Sequence, residues 1–142
     1  MLEIEEQRSR LEEVRKDFEV RYRFLTAAEG GRKTGPPGQG YRSDWSYEDK
    51  DIRDTGRLYV IWPIFLDETG KIIEPNTFVP MEGIAQMFIL NDELRDSLHL
   101  GRIAPGVRGY FMEGPNRVAE ATVTRLLAIG EIPSQTDFAK KD

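Results

Sequence analysis

Seven residues, Phe18-Glu19-Val20-Arg21-Tyr22-Arg23-Phe24, place an apolar side chain at every second position and a charged one between. Successive side chains of an extended chain point to opposite faces, so this period of two reads as a half-buried β-strand with Arg21 and Arg23 on its outer face. Turn residues cut the rest of the chain into short pieces. Residues 29–40 carry too many glycines and prolines for a regular element and read as a loop with several left-handed positions. Tyr41 to Tyr47 predicts the next strand. Arg57 to Leu66 predicts a well-buried one, in which Pro63, lacking an N–H, forces an edge position or a bulge. Asp67 to Lys71 is a turn, followed by a short strand at Ile72-Ile73 and another at Ile84 to Leu90. Asn91 then caps a short helix that carries Leu94 and Leu98 on one side and ends near Gly101.

The end of the chain gives the clearest local signals. Pro105-Gly106 suits the centre of a type II turn. Val107 to Met112 and Arg117 to Ile129 pair as a hairpin around Glu113-Gly114-Pro115-Asn116. Many short strands separated by turns, with a long strand at the end, predict a mostly antiparallel β domain over residues 18–129, a closed barrel or sandwich. Residues 1–17 differ from this body. They alternate acids and bases around a thin stripe of Ile4, Leu11, Val14 and then Phe18, with Glu6/Arg10 and Glu12/Lys16 spaced as helix pairs. A stripe this narrow cannot hold a helix by itself, so it docks on the body or pairs with another chain. Residues 130–142 read as a polar tail.

Charge and composition narrow the function. The chain has 25 acidic and 20 basic residues among 142, a formal charge of −5, which does not draw the domain as a whole to nucleic acid or an anionic membrane. A local patch must supply any such contact. Cysteine is absent, which removes disulfides, thiol catalysis and thiolate zinc sites. No apolar run approaches the roughly 18 residues of a membrane span and no leader pattern is visible, so a cytoplasmic location is expected.

The residues that could carry chemistry mostly have plainer readings. His99, the single histidine, has no Cys or second His nearby and reads as a partly exposed residue at a helix end. The carboxylates of Glu48-Asp49-Lys50-Asp51 and Asn91-Asp92-Glu93 sit among polar residues and read as solvated. The glycine loop lacks the Gly-Lys-Ser/Thr ending of a phosphate-binding loop. Trp45, Tyr47, Tyr59 and Trp62 could stack on bases, but strand spacing assigns them to the core, with Trp62, Ile64 and Phe111 in the most apolar segments. No catalytic set, metal or cofactor is expected. One concentration remains: Arg32, Lys33 and Arg42 with Arg21 and Arg23, either a solvated basic face or a patch that grips phosphates or an acidic protein surface.

Two stretches resemble a known domain. Phe18 to Thr26, then Glu29-Gly-Gly-Arg-Lys-Thr34, then Gly40-Tyr41-Arg42 with aromatics following, resembles the opening of the C-terminal barrel (third domain) of translation elongation factor Tu. Pro105 to Gly114 and Val118 to Leu127 resemble that domain's last hairpin. The resemblance spans residues 17–129, is slight over 48–104, and shows extra length at 91–104. It implies a six-stranded antiparallel barrel with its first strand near its last, to which the residue patterns add an N-terminal helix and a short inserted helix. In that family the barrel helps hold the T arm of aminoacyl-tRNA and packs on the GTPase domain and an exchange factor. Arg32, Lys33 and Thr34 fall on the tRNA-facing loop of the resemblance, and Glu113 and Gly114 on the neighbouring turn. The sequence departs from the family where Pro115-Asn116 stands for Gly-Arg and Thr34-Gly35 for Thr-Pro, and it carries no GTPase domain. The expectation is a stand-alone, non-enzymatic binding module, like small acidic bacterial adaptor or immunity proteins, that binds a protein partner through Arg32, Lys33, Thr34, Tyr41, Arg42, Glu113 and Gly114. The alternative is an RNA- or tRNA-binding module that keeps part of the T-arm contact.

Overall fold

The computed structural model describes residues 3–48 and 57–131. Within them six strands form one antiparallel sheet, curled into a half-barrel: β1 (Phe18–Phe24), β2 (Asp44–Tyr47), β3 (Ile61–Leu66), β4 (Glu82–Ile89), β5 (Arg108–Glu113) and β6 (Asn116–Leu126). The spatial order is β2-β5-β6-β1-β4-β3, so the first strand lies beside the last, as expected. On β1, Phe18, Val20, Tyr22 and Phe24 are all buried, and Arg21 is exposed on the other face.

The curl brings the two edge strands toward each other. Immediately before β3, Tyr59 exchanges two backbone hydrogen bonds with Trp45 of β2, at 2.8 and 3.0 Å, and this bridge spans the sheet's edges. Pro63 stands on the edge strand β3, as its missing donor demands. Phe65, two residues on, turns its N–H and C=O away from β4 toward the buried amide of Gln39, at 3.0 and 2.9 Å. Pro63 is in phase with Phe65, so its missing N–H faces away from the ladder and costs no β4 bond.

The core is aromatic. Phe111 lies 6.0 to 6.4 Å, ring centre to ring centre, from Phe24, Tyr22, Phe65 and Trp45, edge-on to Phe24 and Phe65 at angles that suit ring quadrupoles. Trp45 reaches so close to β5 that a Cβ on Gly109 would stand 2.3 Å from its Cζ2. Ile64 is buried as expected, but Trp62 is not a core residue. It shares the outer face of β3 with Ile64 and stays partly exposed.

Several boundaries move. The N-terminal helix α1 covers Ile4–Glu13 and not all of 2–17, because Val14 is already extended (φ −63°, ψ 142°) and leads into β1. β2 begins at Asp44, three residues later than expected, and Ile72 makes only an isolated bridge to Leu66. The hairpin and the type II turn stand where they were expected, with Val107 N–H donating to Ala104 O at 3.0 Å and Gly106 at φ 93°.

The helix after Asn91, α2, is built from an α turn Asp92–Leu94, a π-helical turn Arg95–His99 and an α turn Leu100–Arg102. Asn91 caps it, accepting from Leu94 N–H at 2.9 Å. Arg95, His99 and Ile103 are all buried, a spacing of four that α-geometry alone would let drift by about 40° per step and that the wider π turn corrects. His99 is therefore an interior residue, 1% exposed, and not the partly exposed helix-end histidine expected. No helix among the described residues is long and apolar enough to cross a membrane. Asp49, Lys50 and Asp51, and the tail from residue 132, lie outside the described residues.

Candidate functional site

The loop after β1 is shaped by local chemistry. Thr26 and Glu29 form a reciprocal capping box, and Gly31 follows where a Cβ would stand 2.2 Å from the Leu25 carbonyl oxygen. This turn delivers Arg32 to Tyr41 and Glu113, three of the expected site residues. The Arg32 guanidinium lies 5.1 Å from the Tyr41 ring centre, donates to Gly35 O at 2.9 Å through Nε, and pairs with the Glu113 carboxylate. The Tyr41 hydroxyl donates to the same carboxylate. Burial first, then the Glu113 charge, holds that hydroxyl well above the usual phenol range. Gly114 makes the adjoining hairpin turn at φ 58°.

These contacts disperse the basic concentration. Arg23 grips both oxygens of Glu29, at 3.0 and 3.1 Å, and reaches Glu120 at 3.2 Å, which pulls the Glu29 carboxyl down to about 2. Arg32 is committed to Glu113, and Arg42 turns the other way to stack on Trp62 with 4.4 Å between guanidinium and ring centre. Lys33 and Thr34 are exposed at the loop's tip. Of the seven expected residues, three thus form one neutralised cluster, Arg32–Tyr41–Glu113, while Arg42 faces elsewhere.

Tyr41 and Arg42 instead open onto a cleft of about 660 Å³ between α1 and the outer faces of β3 and β4. Its floor is a directly opposed cross-strand pair, Trp62 on β3 and Phe88 on β4. Leu11 of α1 and Val14 just past its end form the facing wall, so the apolar stripe is turned toward this space without being buried by it. Polar contacts hold the helix off the sheet: Arg8 makes a two-pronged pair with Glu74 at 2.7 and 2.8 Å, and Asn76 Nδ2 donates to Gln7 Oε1 at 3.1 Å. Cations flank both aromatics, Arg42 over Trp62 and Arg15 over Phe88 at 5.3 Å.

Two buried polar clusters fix the frame behind this cleft. Asp17 is fully buried between α1 and β1, and its carboxylate accepts from Arg95 Nε and Arg15 Nε at 2.7 Å each and from Ile89 N–H at 2.9 Å. Farther along α2, Tyr47 and His99 share a hydrogen bond, with Tyr59 edge-on to the imidazole at 4.8 Å and the Arg102 guanidinium 3.7 Å from the Tyr47 ring centre. Among the described residues no group of His, Asp and Glu could hold a metal ion.

The cleft was not legible in the sequence, because strand spacing assigns Trp62 to the core and the helix stripe reads as docked on the body or paired with another chain. The signal available was the double supply of apolar residues on 61–66, on both faces of one strand, which calls for cover on the outer side. No protein-family model matches the chain, and no curated protein matches it either.

Proposed function

We propose that this chain is a non-catalytic, cytoplasmic binding module that takes a segment of a protein partner into the cleft between α1 and β3. The observation that carries the reading is the Trp62–Phe88 pair, two large aromatic side chains left without apolar cover at the floor of an open cleft. Aromatic anchors of this kind dominate the energetics of protein interfaces. The resemblance to the third domain of elongation factor Tu belongs to this reading, as a shared scaffold and not as a shared activity.

The RNA reading is weaker, and the reason is local. A phosphate-gripping surface needs guanidiniums free to meet phosphates, whereas Arg23 and Arg32 are held by carboxylates of this chain. Selection of short random peptides on the immobilised protein tests the proposal. Enriched peptides should lose their binding when Leu11→Asp and Val14→Asp are introduced together. Peptides indifferent to that change, or submicromolar tRNA binding at physiological salt, would contradict it.

A further inference from the structure

We infer that the segment received by the cleft is acidic, a bulky apolar or aromatic side chain flanked by Asp or Glu; this rests on the cleft being a protein-binding site. The charge around the opening runs against that of the protein. Overall the chain is acidic, at −5, yet the cleft is lined by Arg10 and Arg42 against a single carboxylate, Glu13. The other acid near it, Glu74, is occupied by Arg8. Arg10 and Arg42 are both exposed, and no carboxylate among the described residues pairs with either. The Arg42 guanidinium, 4.4 Å from the Trp62 ring centre, rests on the indole without spending its N–H donors there, which leaves them for a two-pronged grip on a carboxylate.

The backbone geometry decides how such a segment is held. Pro63, which lines the cleft, turns its donor-less nitrogen outward from the sheet edge, so an added strand would lack a hydrogen bond at the point of contact. Recognition therefore falls to side chains: the apolar one between Trp62 and the Leu11–Val14 wall, the acidic one on Arg42 or Arg10. A nucleic acid strand could also stack on Trp62, but it carries a phosphate at every nucleotide, which two arginines beside Glu13 in a protein of net charge −5 do not offset. That imbalance favours the peptide.

Peptides selected on the wild-type protein supply the probe, measured against wild type, the Leu11→Asp/Val14→Asp protein and an Arg10→Glu/Arg42→Glu protein. Melting curves confirm that the exposed charge reversals leave the fold in place. The selected peptides should carry Asp or Glu beside a large apolar residue, bind the charge-reversed protein about tenfold more weakly, and lose affinity for wild type itself as salt is added. Peptides that need Leu11 and Val14 but are neutral or basic, and bind the charge-reversed protein equally well, would overturn the acidic partner and leave the cleft reading standing. Peptides indifferent to both variants, or displaced by a mixed-sequence RNA oligonucleotide, would overturn both.

Discussion

The Tyr47 hydroxyl and the Nδ1 of His99 lie 2.6 Å apart in the interior, joining β2 to α2 across 52 residues of chain. Burial first, and then the Arg102 charge, pushes the imidazole down to about 4, with Asp17 opposing more weakly. In the unfolded chain the same group titrates near 6.5. Between these values the unfolded state binds the extra proton, so the contribution of His99 to stability is full above about pH 6.5, falls as pH drops toward 4, and is level below that. The loss approaches roughly 3 kcal/mol, since each tenfold difference in proton affinity between the two states is worth about 1.4 kcal/mol. His99 is the only histidine, so urea melts at pH 7 and pH 5 should differ in wild type and much less in His99→Gln. Equal pH dependence in the two proteins would show that the imidazole is solvated.

Removing the charge of Asp17 should be costly. Its carboxylate answers two guanidiniums and one N–H in a fully buried position, and Asp17→Ala strands Arg95 in the interior. Breaking one partner of a buried pair costs about 3–5 kcal/mol, so the variant should be marginal or unfolded at 37 °C in a denaturant titration.

Two glycines should respond with opposite signs. Gly109→Ala drives a methyl into the Trp45 ring, where the contact would be 2.3 Å, and should destabilise by a few kcal/mol on the usual scale of core overpacking, about 1–3 or more. Gly101→Ala meets open space within α2 and should stabilise by about 0.5–1 kcal/mol. Thermal melts of the two single variants check both.

Wild-type protein should bind RNA no more tightly than non-specifically at physiological salt, and replacing Arg32, Lys33 and Arg42 with Ala should abolish no submicromolar affinity, because the net charge is −5 and Arg32 already has an internal carboxylate partner. Binding of mixed tRNA as a function of salt measures this. If the three gripped phosphates, the slope of log K against log salt would flatten by roughly 0.7–0.9 per lost contact.

The strands were legible because they rest on local rules. Alternation at Phe18–Phe24, the Pro105-Gly106 turn and the Glu113–Asn116 hairpin follow from side-chain period and backbone freedom, and the structure has them in place. Asn91 as a helix cap is local in the same sense. Trp62 was misread because strand spacing says that a residue alternates and not which face will be covered. His99 was misread because its burial depends on Tyr47 and Tyr59, 40 or more residues away in the chain. The expected site divided for the same reason: Arg32 and Arg42 are near in sequence, but Glu113 claims one and Trp62 the other.

The central claim, that the cleft is the binding surface, is tested most directly through the two tryptophans. Trp45 is buried in the core and Trp62 forms the cleft floor, so their indole N–H resonances report on two separate places. Titrating a selected peptide into isotope-labelled protein should move the Trp62 indole signal, identified by its absence in Trp62→Phe, and leave that of Trp45 in place. A bound peptide that leaves the Trp62 signal unmoved would contradict the account.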